Sequence, residues 1–118
     1  MSGSQPPAFD VQERVEGDSA TLVLAGELDI STADRLQQAV ARVCVAKGPR
    51  ALLIDLQRLV FIDSSGLAAM VYASRLCERH GCRLSVIRGP QPVHEVFELT
   101  GLDKLLPFGV DGAGPVGA

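Results

Sequence analysis

The 118-residue sequence has no tryptophan, one tyrosine and four phenylalanines. A surface that binds single strands by stacking bases on aromatic rings therefore has little to be built from. There is no run of lysine and arginine either. Eleven basic residues face fourteen acidic ones, for a net charge of −3, which is the wrong balance for gripping a phosphate backbone. Direct nucleic-acid binding is not expected. No unbroken apolar stretch approaches the ~20 residues of a membrane-spanning helix, so no membrane partner is expected. The opening Met1-Ser2-Gly3-Ser4-Gln5-Pro6-Pro7 lacks the charged start and apolar core of a secretory signal. Cysteines are few, Cys44, Cys77 and Cys82, and no two have C-x-x-C spacing. Free thiols in a cytoplasmic protein are the expectation. Cys77 and Cys82 bracket His80, but the spacing is loose and no fourth ligand is evident, so no metal is expected. Neither G-x-x-x-x-G-K-[ST] nor G-x-G-x-x-G occurs, which removes nucleotide hydrolysis and dinucleotide binding and leaves no cofactor to expect.

What the chain does have is apolar content, 47% against 21% charged residues, enough for one domain with one core. Residues 1–8 and 109–118, rich in Gly, Pro, Ser and Ala, read as flexible tails. Between them, Phe9, Val11 and Val15 suggest a strand, and Glu16-Gly17-Asp18-Ser19 a turn. Ala20 to Ala25 is a dense apolar run, a buried strand ending at Gly26 and paired with the first as a hairpin. Ser31 then reads as a helix cap with Asp34 reaching back, ahead of a helical stripe at Ala33, Leu36, Val40 and Val43. Gly48-Pro49 ends that helix, and Ala51 to Leu56 is a second buried strand, completing a crossover unit. A second helix runs from Ser64 to about His80 on Leu67, Ala68, Val71 and Leu76, and Gly81 closes it. Arg83 to Arg88 is a strand, and Pro92 opens a third helix on Val93, Val96 and Phe97 that stops at Gly101. Leu105 to Phe108 could add a short last strand. The order β-β-α-β-α-β-α predicts a single α/β domain with a mixed sheet of four to five strands and three helices covering one face.

The most informative stretch is Leu59-Val60-Phe61-Ile62-Asp63-Ser64-Ser65-Gly66-Leu67. Two hydroxyls and an acid stand where a helix begins, among unpaired backbone N–H groups at the positive end of a helix dipole. Capping accounts for one hydroxyl, worth about 1 kcal/mol, but not for both. Gly66 directly after them leaves backbone open to a close partner. A nucleophilic role fails on the pattern, since G-x-S-x-G is absent. It also fails on the bases available. His80 lies roughly 20 Å away along the same helix, and His94 reads as a solvent-facing residue in a helix's first turns. A second acidic spot, Glu27 with Asp29, ends the strand at Gly26, on the sheet edge where α/β proteins gather ligands and partners. Glu27, Asp29 and Asp63 converging there suit a recognition surface better than a metal site, because dense ligand spacing is missing. The remaining arginines are scattered.

Gly26-Glu27-Leu28-Asp29 followed by Ser31-Thr32-Ala33, then Ile62-Asp63-Ser64-Ser65-Gly66-Leu67, then Phe97-Glu98-Leu99-Thr100-Gly101-Leu102 resembles the STAS domain proteins of the anti-sigma factor antagonist type. The resemblance spans residues 9–108. It implies a non-enzymatic bacterial switch in the cytoplasm that binds an anti-sigma factor serine kinase when unmodified and so frees the sigma factor. It further implies that the kinase phosphorylates the serine after the motif's acid, Ser64, and that a PP2C-type phosphatase reverses this. Asp29, Asp63, Ser64, Ser65 and Gly66 are the implied partner-binding residues. STAS domains also serve stress-signalling complexes and lipid-transport ATPases, so the resemblance admits permanent docking on such an assembly as an alternative.

Overall fold

The structure, a computed structural model, describes residues 8–109. The tails expected at 1–8 and 109–118 lie outside that range except for Ala8 and Gly109. Strand β1 (Asp10–Glu16) turns through Gly17, in the left-handed region at φ 58°, into β2 (Ser19–Leu28). Helix α1 (Ala33–Ala41) continues into a π-helical turn, Arg42–Lys47, before β3 (Ala51–Ile62). Helix α2 (Ser64–Arg79), β4 (Arg83–Ile87), α3 (Gln91–Thr100) and a 3₁₀ turn at Leu102–Lys104 complete the order. The sheet runs β1-β2-β3-β4, with the hairpin antiparallel and the β2–β3 and β3–β4 pairs parallel. The expected last strand is reduced to one parallel bridge between Val86 and Phe108.

One sheet face carries the core. Leu22, Leu24 and Leu28 of β2 and Leu52, Ile54 and Leu56 of β3 are buried, whereas Thr21, Val23, Ala25 and Leu53 between them are half-buried. Leu36 and Val40 of α1, Met70 and Ala73 of α2, and Val93 and Phe97 of α3 join the same core. Burying each large apolar side chain contributes roughly 1.5–3 kcal/mol before entropy is charged against it. The α2 stripe differs in detail from expectation: Ala68 is exposed, and Gly66, Ala69, Met70 and Ala73 face the core with Leu67 and Leu76.

Three local expectations are corrected. Strand β2 does not stop at Gly26. It passes through that residue at φ 93°, and a Cβ there would run into the Ala8 carbonyl, so glycine is required both by conformation and by space. Ser31 does not cap α1; the cap position is Thr32, which makes no side-chain cap bond. His94 is buried, not solvent-facing, because the chain after α3 returns and sets Phe108 edge-on to it at a centroid distance of 4.8 Å. Burial, with Arg88 nearby, pushes the His94 pKa down, so its imidazole stays neutral.

Candidate functional site

The site is built where β2 and β3 end side by side. The two strands stay paired to Leu28↔Ile62, so the next residues, Asp29 and Asp63, leave neighbouring strands at one edge. Strand β3 reaches that point through two bulges: Val23, Ala25 and Glu27 oppose Asp55, Arg58 and Phe61, so β3 inserts an extra residue twice. Bulges bend a strand and increase its twist. They also reset which side chains face in. Leu56, Leu59 and Ile62 are buried at a spacing of three rather than two, and Val60 and Phe61 are left 56% and 46% exposed.

Asp63 is the N-cap of α2. Its Oδ1 accepts the backbone N–H groups of Ser65 at 2.9 Å and Gly66 at 3.1 Å, and its own N–H donates to the Leu28 carbonyl at 3.2 Å. The acid thus does the capping expected of a serine, and it fastens the helix start to the end of β2. Neither serine is consumed by this arrangement. Ser64 is exposed and Ser65 half-buried, and neither hydroxyl makes a hydrogen bond among the described residues. Asp63→Ala removes the acceptor for two N–H groups. It is expected to cost about 1 kcal/mol, lowering Tm by roughly 5 °C, with Asp63→Asn close to the parent in thermal unfolding.

Asp29 is held by its own loop. Its carboxylate accepts the Ser31 N–H at 2.9 Å and the Ser31 hydroxyl at 2.8 Å. Its N–H donates to Thr32 Oγ1 at 2.9 Å, and the Thr32 hydroxyl faces the Glu27 carbonyl, also at 2.9 Å. The Ser31 hydroxyl beside it holds the Asp29 pKa below the usual carboxylate range, so its charge is permanent at neutral pH. The Ser31-Thr32 pair is therefore used to rigidify the Asp29 loop, not to cap a helix.

Gly66, expected to offer open backbone to a partner, is buried. A Cβ there would lie 2.6 Å from the Leu28 carbonyl oxygen, 2.7 Å from Ile62 Cγ1 and 2.9 Å from Leu28 Cγ. Its smallness admits the end of β2, not a partner. Two apolar groups that the sequence patterns did not single out stand at the edge instead. Ile30, next to Asp29, is 81% exposed, and Phe61 is exposed two residues before Asp63. Large exposed apolar side chains beside polar groups mark a docking surface. A plain alternation continued from Leu52, Ile54 and Leu56 also turns Phe61 outward; the bulges change the facing of Leu59 and Val60.

The arrangement offers an exposed hydroxyl at the first position of a 16-residue helix, a neighbouring acid whose charge is already satisfied by backbone, and an apolar rim. No nucleophile–base pair involving Ser64 or Ser65 is present among the described residues. The family model described as "Mlab, STAS domain" matches residues 11–107. The chain belongs to the STAS domain family. Among curated relatives, this STAS domain is 30% identical over 102 residues to an anti-sigma F factor antagonist of Paenibacillus polymyxa, covering 85% of the chain and 87% of the relative. It is 35% identical over 101 residues to the anti-sigma-F factor antagonist RsfB of Mycobacterium tuberculosis, covering 86% and 81%. Among solved structures, an anti-sigma factor antagonist from Mycobacterium paratuberculosis superposes with a TM-score of 0.78 at 30% identity, covering 89% of this chain and 88% of that one. No described helix of the STAS domain is long and apolar enough to cross a membrane.

Proposed function

We propose that this STAS domain is an anti-sigma factor antagonist whose affinity is switched by phosphorylation at Ser64. In its unmodified state it binds an anti-sigma factor that is also a serine kinase, and a PP2C-type phosphatase resets it in the cytoplasm. Asp29, Asp63, Ser64 and Ser65 form the polar centre of the docking surface, with Ile30 and Phe61 as its apolar rim. The observation that carries the reading is the Ser64 hydroxyl, exposed and without a hydrogen bond among the described residues, at the start of α2 while Asp63 supplies the cap. Two relatives that are at least 30% identical across most of their length carry the antagonist name, which supports the same reading. A phosphate at Ser64 would add about −1.5 to −2 charges at the positive end of the helix dipole, where the fold can hold it. The docking surface changes charge and the domain keeps its shape.

Incubation with candidate anti-sigma kinases and ATP, followed by phosphosite mapping by mass spectrometry, tests this. One phosphate per chain at Ser64 is expected, removable by a PP2C-type phosphatase. Binding without labelling would favour permanent docking on a larger assembly. Labelling at Ser65 alone would move the switch by one residue.

A further inference from the structure

The three cysteines, scattered through the sequence, meet at the other end of α2. Gly81 at φ 68° ends the helix with the Cys82 N–H donating to the Cys77 carbonyl at 2.8 Å and the Gly81 N–H to the Glu78 carbonyl at 3.3 Å. This is the Schellman pattern, in which the side chains at the positions of Cys77 and Cys82 are brought into contact. In most proteins that contact is aliphatic; here it joins two thiols. The third, Cys44, comes from the π-helical turn after α1, a rare conformation that recurs at functional sites. Cys44 Sγ lies 3.6 Å from Cys77 Sγ, and all three sulfurs lie within 4.8 Å of one another. All three residues are buried.

We propose that Cys44, Cys77 and Cys82 form a binding site for a thiophilic closed-shell cation, Cu(I) or Zn(II), held by three thiolates. A cation bonded to thiolates at about 2.3 Å holds its sulfurs about 3.8–4.0 Å apart in tetrahedral or trigonal geometry. The Cys44–Cys77 separation of 3.6 Å is close to that, and the remaining pairs lie within 4.8 Å. Ordinary core cysteines would satisfy burial alone. They would not require three sulfurs from three different segments to converge. His80, the ligand suggested by sequence spacing, is exposed and takes no part; Cys44 stands in its place. No His, Asp or Glu completes the cluster among the described residues, so the ligand set is all sulfur, which selects soft ions over Mg²⁺ or Ca²⁺. Burial pushes the Cys77 and Cys82 thiols up, and the Cys44 sulfur raises both further. Without an ion Cys77 and Cys82 are therefore held as thiols. A bound cation releases the thiol protons to solvent and sets its positive charge among the thiolates. The ion would clamp the end of α1, the end of α2 and the start of β4, roughly 20 Å from Ser64 along α2. The site is independent of the switch proposed above.

The test uses the full chain, reduced, metal-free and under anaerobic conditions, titrated separately with Zn(II) and Cu(I) against chromophoric chelators. One ion per chain is expected, with a thiolate-to-metal charge-transfer band for Cu(I). At a hundredfold excess over Kd, Tm should rise by about 10 °C. Cys44→Ala and Cys77→Ala should each lower affinity at least tenfold. Retention of either ion through these thiols supports the site. Failure of the parent to retain either, or variants that bind as tightly as the parent, overturns it. If a variant does not fold, the parent's stoichiometry and charge-transfer band decide alone.

Discussion

Ser64→Asp is expected to bind the anti-sigma partner about tenfold more weakly than the parent, and the Ser64-phosphorylated chain about a hundredfold more weakly, while Ser64→Ala binds within about threefold. Each tenfold step corresponds to about 1.4 kcal/mol. A unit charge placed about 4 Å from a like charge costs about 1 kcal/mol in water and about 4 kcal/mol at the effective dielectric of a partly closed surface, so one aspartate suffices for the first step. A phosphate carries up to twice that charge, which supplies the second. Ser64→Ala removes a hydroxyl that makes no hydrogen bond among the described residues, so little is lost. Asp63 beside it does not already impose this penalty, because its carboxylate is engaged by the Ser65 and Gly66 N–H groups. Calorimetric titration against the partner at two salt concentrations checks the mechanism: the Ser64→Asp penalty should shrink as salt rises. Equal weakening by Ser64→Ala would show that the hydroxyl itself is the contact, and equal affinity of Ser64→Asp would remove charge as the switch.

The element order was legible in the sequence because helices and strands impose different apolar periods and the breaks are marked by Gly17, Gly48-Pro49, Gly81 and Gly101, all but Pro49 at positive φ. The end of β3 was not, since two bulges replace the strand period with a spacing of three at Leu56, Leu59 and Ile62. The bulges turn Leu59 inward and Val60 outward against the strand period, whereas Phe61 faces out either way. At the helix start the residue types pointed to the right place with the wrong assignment among them. Serine and aspartate are both good caps, and it is the extended backbone at Asp63 that aims its carboxylate at the Ser65 and Gly66 N–H groups. The burial of His94 does not show in its own helix's pattern, because its cover, Phe108, comes from the segment beyond α3. The thiol cluster depends on how Cys44 is brought across to the end of α2, and no spacing within one element reports that.

Gly66→Ala carries the second large expectation, a loss of about 2–3 kcal/mol and a fall in Tm of roughly 10 °C. Two effects oppose each other. Alanine is the better helix former by about 1 kcal/mol, which alone would stabilise α2. The added methyl, however, would lie 2.6 Å from the Leu28 carbonyl oxygen, which belongs to the paired end of β2 and cannot swing aside as a flexible side chain could. Relief requires the first turn of α2 to move off the sheet. That movement strains the Asp63 N–H bond to the same carbonyl and shifts Ser64 relative to Asp29. The steric term therefore wins, and its consequence reaches the docking surface. Gly48→Ala is the control, because a Cβ at Gly48 meets nothing within 4 Å and only the φ of 54° is unfavourable. Thermal unfolding of the two variants separates the effects: Gly48→Ala should cost about 1 kcal/mol and leave partner affinity unchanged, whereas Gly66→Ala should cost more and weaken binding as well. A Gly66→Ala chain as stable as the parent would mean that α2 is free to slide on β2, and Ser64 would then have no fixed place from which to act as a switch.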